Sequence, residues 1–128
     1  MDFNLSPENK MIAKAARDFA SRVIEPVAAK ADREDMLPDD ILKKFAEAKM
    51  LGMMIPKEYG GLGSTAFNVI LITEVLGRTG SAAYWLMAVN NSVVESIYHW
   101  GTEELRKKYI TILCDGTNYA TVAFTEPA

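Results

Sequence analysis

Apolar side chains recur at intervals of three and four along most of the chain, which is the spacing of one face of an α-helix. The first such stripe runs to about residue 31. Ser6 is a suitable N-cap for it, and Pro7 suits the first helical position. Pro26 lies inside the stripe and has no amide hydrogen, so a kink or a break is predicted there.

Four further helices are predicted from their end signals. The second begins at residues 38–40, and Gly52 is placed to cap its end. The third covers about residues 64–77, where "AFNVILITEVL" is apolar on almost every side, as in a central helix covered by others. The fourth spans about residues 81–100, and the fifth runs from Thr102 to Gly116. Because the connections are short, the predicted fold is all-α, an up-and-down bundle of about five helices.

The end of the chain has a different pattern. Residues 119–124 alternate and are rich in β-forming side chains, which predicts one C-terminal strand. A strand needs a neighbour for its N–H and C=O groups, and the sequence offers no second convincing strand. We therefore expect the partner strand to lie outside these residues.

Composition narrows the class of protein. The chain has 128 residues with 49% hydrophobic and 24% charged side chains, as in one globular domain. Its net charge is −3 and its basic residues are scattered, so no nucleic-acid interface is predicted. The longest uncharged stretch, residues 79–94, is too short and too polar for a membrane span. A single cysteine, Cys114, is predicted to be a packed thiol and fits a reducing, cytoplasmic location.

Signals for chemistry are sparse. Residues 61–66 fit the pattern G-x-G-x-x-G/A, but the strand that a dinucleotide site requires does not precede them. We interpret the cluster "YGGLGST" as a glycine turn that leads into a buried helix. With one histidine, His99, and no clustered carboxylates, neither a metal site nor a catalytic triad is predicted.

Three consecutive polar residues interrupt the fourth helix, namely Asn90, Asn91 and Ser92. Polar groups in an apolar helix must find partners or face a cavity, because an unsatisfied buried amide costs about 1–3 kcal/mol. The alternative is that one of the three simply points to solvent.

Taken in order, four segments resemble one family: "YGGLG" after the second helix, "TEVLGR" in the third, "GTEELRKKY" at the fifth and "AFTEP" on the predicted strand. The chain resembles the N-terminal portion of a flavin-dependent acyl-CoA dehydrogenase. This resemblance implies an N-terminal helical domain over residues 1–117 and the start of a truncated middle β-domain over residues 118–128. It also implies FAD as cofactor, an acyl-CoA substrate, an electron-transfer partner and a homotetrameric parent enzyme.

The resemblance further implies roles for individual residues. Thr125 would place its hydroxyl near the flavin nitrogen that accepts hydride, with Val122 and Phe124 against the ring; relatives often have an aromatic residue at the position of Val122. Five residues of the fourth helix would line the acyl cavity: Tyr84, Trp85, Ala88, Val89 and Ser92. The two bulky rings suggest a shortened or aromatic-lined pocket, or else ordinary core packing.

In the family reaction, a glutamate of the C-terminal domain removes the α proton of an acyl-CoA thioester and the β carbon passes hydride to FAD. That base lies beyond this chain, so the fragment alone is predicted to be inactive, with no catalytic residue of its own. Two alternatives remain open at this point. One is a free-standing helical module that binds a partner protein, and the other is an acyl-binding bundle that needs no flavin.

Overall fold

The computed structural model describes residues 4–126, and these residues form five helices. Helix α1 covers residues 7–34 in three consecutive segments, Pro7–Phe19, a π-helical turn Ala20–Ile24, and Glu25–Glu34. Helices α2, α3 and α4 are Ile41–Glu47, Ala66–Gly77 and Ala82–Trp100. Helix α5 covers residues 103–114 as Glu103–Leu105, a π-helical turn Arg106–Ile110, and Thr111–Cys114; a short 3-10 turn, Lys57–Tyr59, lies between α2 and α3. The predicted all-α fold of five helices is confirmed.

Side-chain caps mark the starts of four of the five helices, whereas α2 begins at Ile41 without one. Ser6 Oγ accepts the Asn9 amide at 3.1 Å ahead of α1. Thr65, Ser81 and Thr102 accept backbone amides in the same way at the starts of α3, α4 and α5. Each cap satisfies one of the backbone donors that a helix start leaves without an intrahelical partner.

The irregularity predicted at Pro26 takes the form of a π-helical turn. The Glu25 amide donates to the carbonyl of Ala20, five residues back, and Pro26 follows directly. Proline has no N–H for an ordinary α-helical bond, and its ring would crowd the carbonyl four residues back. The wider turn lies where this conflict arises. Helix α1 therefore continues through the proline.

The end of α2 differs from the prediction, because Lys49 rather than Gly52 takes the left-handed position after the helix. Lys49 has φ 56°, and its amide donates to Ala46 O while the Met50 amide donates to Phe45 O, both at 2.9 Å. This pair of bonds is the Schellman arrangement. Gly52, with φ 64°, lies farther on, where a Cβ would overlap Cys114 Sγ. It is therefore required by close packing and not as the helix cap.

Two hydrophobic clusters lie side by side and share helix α4. The larger joins α1, α2, α3 and the start of α4 around Phe45 and Leu76, which are fully buried. The smaller lies between the second half of α4 and α5 and includes Val94 and Ile110. The middle of α4 consequently sits between the two clusters.

Helix α3 is less enclosed than predicted. It buries Leu71, Ile72 and Leu76, but Phe67 and Ile70 are 50% and 62% exposed. Among the described residues, neighbouring elements cover only one side of α3. Apolar side chains around the whole helix therefore did not mean that the helix is buried on all sides. No helix within residues 4–126 combines the length and the apolar character needed to cross a membrane.

The predicted strand is not formed in residues 119–126, which have no regular secondary structure. A strand exists only through hydrogen bonds to a neighbouring strand, and none is present in the described part of the chain. Residues 127 and 128 lie outside the described residues. The division into domains at residues 117 and 118 stays a prediction.

Candidate functional site

A cleft of about 580 Å³ lies between one face of α4 and the segment 121–125. The α4 wall uses residues three or four apart, which places their side chains in one row along the helix. The other wall is the irregular segment after α5. The lining residues are Trp85, Ala88, Val89, Ser92, Ser96, Thr121, Val122, Ala123, Phe124 and Thr125.

The cleft brings together seven of the eight residues singled out from the sequence. From the predicted flavin-contacting set it contains Val122, Phe124 and Thr125, and from the predicted acyl-contacting set Trp85, Ala88, Val89 and Ser92. Their binding roles stay predictions. What the geometry establishes is that two segments far apart in the sequence, both singled out through the same family resemblance, face each other across one space.

Tyr84 is the exception, because its side chain is half-buried and packs against the larger hydrophobic cluster. Its ring meets that of Trp85 edge-on, with centroids 6.4 Å apart. Of the two interpretations offered by the sequence, core packing therefore describes Tyr84. Trp85, by contrast, is 65% exposed and forms part of the cleft wall.

Sequence reasoning missed three lining residues, Ser96, Thr121 and Ala123. Ser96 carried a usable signal, since it follows Ser92 by one helical turn. The two serine hydroxyls donate to carbonyls one turn back, Ser92 to Ala88 O at 3.0 Å and Ser96 to Ser92 O at 2.8 Å. Their protons are thus engaged by the helix, and their oxygens remain as acceptors on the cleft wall.

The two asparagines of α4 point away from the cleft and are structural. Asn90 is fully buried, accepts the Ala120 amide at 3.0 Å and donates to Leu113 O at 3.1 Å. Asn91 accepts the Met53 amide at 2.9 Å. Both interpretations offered by the sequence apply in part: the two buried amides are paired, whereas Ser92 is exposed and lines the cleft.

None of the ten residues that line the cleft is acidic, basic or a histidine. Glu95 lies on α4 but outside this lining, where burial raises the pKa of its carboxyl and the charge of His99 acts in the opposite direction. Residues 4–126 contain no group of three or more His, Cys, Asp or Glu side chains that could hold a metal ion. The cleft can therefore hold and orient a ligand, but its own side chains offer no group for proton abstraction.

Cys114 is packed, as predicted, at the end of α5. Burial, with a smaller contribution from the negative charge of Asp115, raises the pKa of its thiol to about 11, while Lys49 acts in the opposite direction. A thiol with so high a pKa is almost wholly protonated at neutral pH and is a poor nucleophile.

The glycine cluster forms the turn that the sequence predicts. The backbone of Gly61 packs so closely on Ile55 that a Cβ would overlap it. The amides that a phosphate would need are already used: Gly63 N–H donates to Ile55 O and Ser64 N–H to Met53 O, both at 2.8 Å. A phosphate-binding loop requires free amides, so this loop is not one.

Comparison with known proteins gives consistent results. The family model described as acyl-CoA dehydrogenase, N-terminal domain, matches residues 6–117. An acryloyl-CoA reductase (NADH) of Anaerotignum propionicum is 35% identical over 127 residues, which is 99% of this chain and 32% of that protein. A short-chain specific acyl-CoA dehydrogenase of Clostridium acetobutylicum is 31% identical over 128 residues, 99% of this chain and 34% of its own length.

A solved structure supports the same likeness. The glutaryl-CoA dehydrogenase of Mycobacterium smegmatis in complex with FADH2 superimposes with a TM-score of 0.84 at 26% identity, covering 90% of this chain and 30% of that one. The chain thus spans about a third of the length of the relatives that it matches.

Proposed function

This chain belongs to the acyl-CoA dehydrogenase family, and we propose that it serves as the N-terminal domain of a flavin-dependent enzyme that dehydrogenates acyl-CoA thioesters between the α and β carbons. One of its relatives is named a reductase, so the same site chemistry run in the opposite direction belongs to the same proposal. In both directions the chain contributes one side of the place where acyl group and flavin meet.

The observation that carries the proposal is the cleft between α4 and residues 121–125. Its walls combine apolar surface with a few hydroxyls, which is the usual make-up of a site for a largely apolar ligand. Phe124 is 88% exposed and Trp85 65% exposed. Large aromatic side chains this accessible beside a cleft indicate that something else covers them in the working protein.

The residues present fit a flavin ring. The ring is flat and mainly apolar with polar atoms along its edges, and the segment 122–125 offers three apolar side chains followed by the Thr125 hydroxyl. When bound, the flavin supplies the hydride acceptor that the reaction needs. We assign Val122 and Phe124 to contact with the ring face and Thr125 to a hydrogen bond at the ring edge.

The acyl chain is assigned to the α4 wall, against Trp85, Ala88, Val89 and Ser92. Trp85 lies near the start of α4 and contributes a bulky ring to the cleft wall, so a short acyl group is the substrate that we expect. The chain's own role is to orient the acyl group and to exclude water from it. Because the cleft lining lacks an acid, a base or a histidine, we assign the proton-abstracting group to residues outside this lining.

Three partners follow from this assignment: an acyl-CoA substrate, an electron-transfer partner that exchanges electrons with the flavin, and further copies of the parent enzyme in a homotetramer. The exposed apolar side chains Phe67 and Ile70 on α3 supply surface that such assembly, or other parts of the enzyme, would cover.

The test is to express the full-length protein and record its visible spectrum before and after addition of a panel of acyl-CoA thioesters. We expect a bound-flavin spectrum that bleaches with short-chain thioesters, and no reduction by the isolated 128 residues. Thr125→Val should slow flavin reduction about tenfold, the value of one hydrogen bond, whereas Thr117→Val, outside the cleft, should not. A full-length protein that binds acyl-CoA tightly but takes up no flavin would refute the proposal.

A further inference from the structure

The buried amide of Asn90 connects three separate parts of the fold. Its Nδ2 donates to the Leu113 carbonyl at 3.1 Å, and its Oδ1 accepts the Ala120 amide at 3.0 Å. Leu113 lies in the last turn of α5, where carbonyls lack intrahelical partners. The Thr117 amide, which would continue the helical pattern to that carbonyl, instead donates to Asp115 Oδ1 at 2.8 Å. One side chain therefore joins α4, the end of α5 and the segment that follows.

The position of this link matters because of what lies on each side of it. Along α4, Asn90 directly follows Val89 and comes two residues before Ser92, both in the cleft wall. Along the other segment, Ala120 directly precedes residues 121–125, which form the opposite wall. Ala120 is the last residue of that segment with a described hydrogen bond to the rest of the fold. The bond thus joins the two segments at positions directly beside residues of both cleft walls.

We propose that Asn90 is a positioning residue that sets the spacing between the two walls of the cleft and, through it, the fit of the ligand that the cleft holds. The reference to a flavin ligand rests on the function proposed above, whereas the spacing itself does not. A side chain with only one hydrogen-bonding direction could hold the segment or the end of α5, but not both. An asparagine amide, which donates and accepts at once, does both, through a buried bond to Leu113 and a partly buried bond to Ala120.

Asn91 provides a matched control. It is the next residue of the same helix and is also buried. Its amide also bonds to backbone groups, namely Met50 O, Met87 O and the Met53 amide. Removing the Asn91 amide removes a comparable buried polar link without touching the cleft segment. A general loss of stability would affect both variants, while a positioning effect separates them.

The first experiment measures amide hydrogen exchange by NMR in the 128-residue chain. In Asn90→Leu we expect the Ala120 amide to exchange about tenfold faster or more, the factor that corresponds to loss of about 1.4 kcal/mol, with the Met53 amide unchanged. In Asn91→Leu the pattern should be reversed. Equal acceleration at both amides in both variants, or unchanged exchange of Ala120 in Asn90→Leu, would overturn the proposal.

The second experiment removes the donor from the other side, in case Asn90→Leu fails to fold. Ala120 packs at the edge of the smaller hydrophobic cluster. Ala120→Pro deletes the amide and keeps an apolar side chain there, whereas Ala120→Gly keeps the amide. Spin labels at Ser96→Cys and Ala123→Cys report the distance between the walls, since Cys114 is buried and resists labelling. The distance distribution should broaden or lengthen with proline and not with glycine. Identical distributions for proline and glycine would overturn the proposed spacing role.

The third experiment separates this inference from the proposed function. In the full-length protein, Asn90→Leu should weaken FAD binding or shift its visible spectrum relative to Asn91→Leu. If the distance between the walls changes but flavin binding and the visible spectrum do not, the proposed effect of Asn90 on the ligand is wrong. If the unaltered full-length protein binds no flavin, the proposed function fails while the spacing result stands.

Discussion

Replacement of Gly52 by alanine tests how tightly the loop after α2 packs on α5. Two costs are expected. The residue has φ 64°, in the left-handed region that costs a residue with a Cβ about 1–2 kcal/mol. The added Cβ would also overlap Cys114 Sγ, and forcing an extra carbon into a packed core costs about 1–3 kcal/mol. Gly52→Ala should therefore lower the free energy of unfolding by about 2–5 kcal/mol.

Gly63 supplies the control for the backbone cost alone. It has φ 67°, nearly the same conformation, but the nearest atom to an added Cβ is Lys57 Cγ at 4.0 Å. Gly63→Ala should cost only the backbone part, about 1–2 kcal/mol. The difference between the two substitutions then measures the overlap with the Cys114 thiol.

A double-mutant cycle confirms the source of that difference. In a Cys114→Ala background the sulfur is gone, and the nearest described atom to the new Cβ is the Cβ of residue 114 at 3.3 Å. There Gly52→Ala should cost about 1–2 kcal/mol, which gives an interaction energy of about 1–3 kcal/mol between the two sites. Urea unfolding at equilibrium measures each value, provided that the slope of free energy against urea stays constant. If Gly52→Ala costs the same in both backgrounds, the packing argument is wrong.

Three further predictions concern the thiol, the cleft and a helix start. Because the pKa of the Cys114 thiol is raised to about 11, the folded protein keeps this proton between about pH 9 and 11, whereas the unfolded chain releases it. The free energy of unfolding should therefore fall between pH 9 and 11 more steeply than in Cys114→Ala, as urea titrations across that range will show. Trp85→Ala should change the free energy of unfolding by no more than about 0.5 kcal/mol, whereas Phe45→Ala, which is fully buried, should cost about 3–5 kcal/mol; equal losses in thermal unfolding would contradict the assignment of Trp85 to an open wall. Thr102→Ala should cost about 1 kcal/mol through loss of the cap on Leu105, and Thr102→Ser, which keeps the oxygen, should restore most of it in the same assay.

The helices and most of their starts were predictable from the sequence because they depend on local chemistry. Ser6, Thr65 and Thr102 each cap a helix because the side-chain hydroxyl accepts the backbone amide three residues later. No contact with a distant part of the chain is needed. The glycine turn before α3 was predictable for the same reason. The family resemblance also depended on short ordered segments, and the match over residues 6–117 confirms it.

The ends and faces that depend on distant atoms were not predictable in this way. Gly52 was predicted to cap α2, but its place is instead set by close packing on Cys114 of α5, a contact between distant parts of the chain. Tyr84 and Trp85 are adjacent and similar in size, yet one packs in the core and the other lines the cleft. Neighbouring residues of a helix point about 100° apart, and which of them is exposed to solvent depends on what packs beside the helix.

The cleft itself is the clearest case of a feature decided by tertiary structure. The sequence by itself determined that residues 81–100 form a helix, that a polar group interrupts it, and that residues 119–124 favour an extended chain. It could not determine that the Asn90 amide would receive the Ala120 amide, or that the predicted strand would stay irregular in this chain. Helix propensity and caps act over one or two turns, whereas a cleft wall and a strand each require a particular partner from far along the chain.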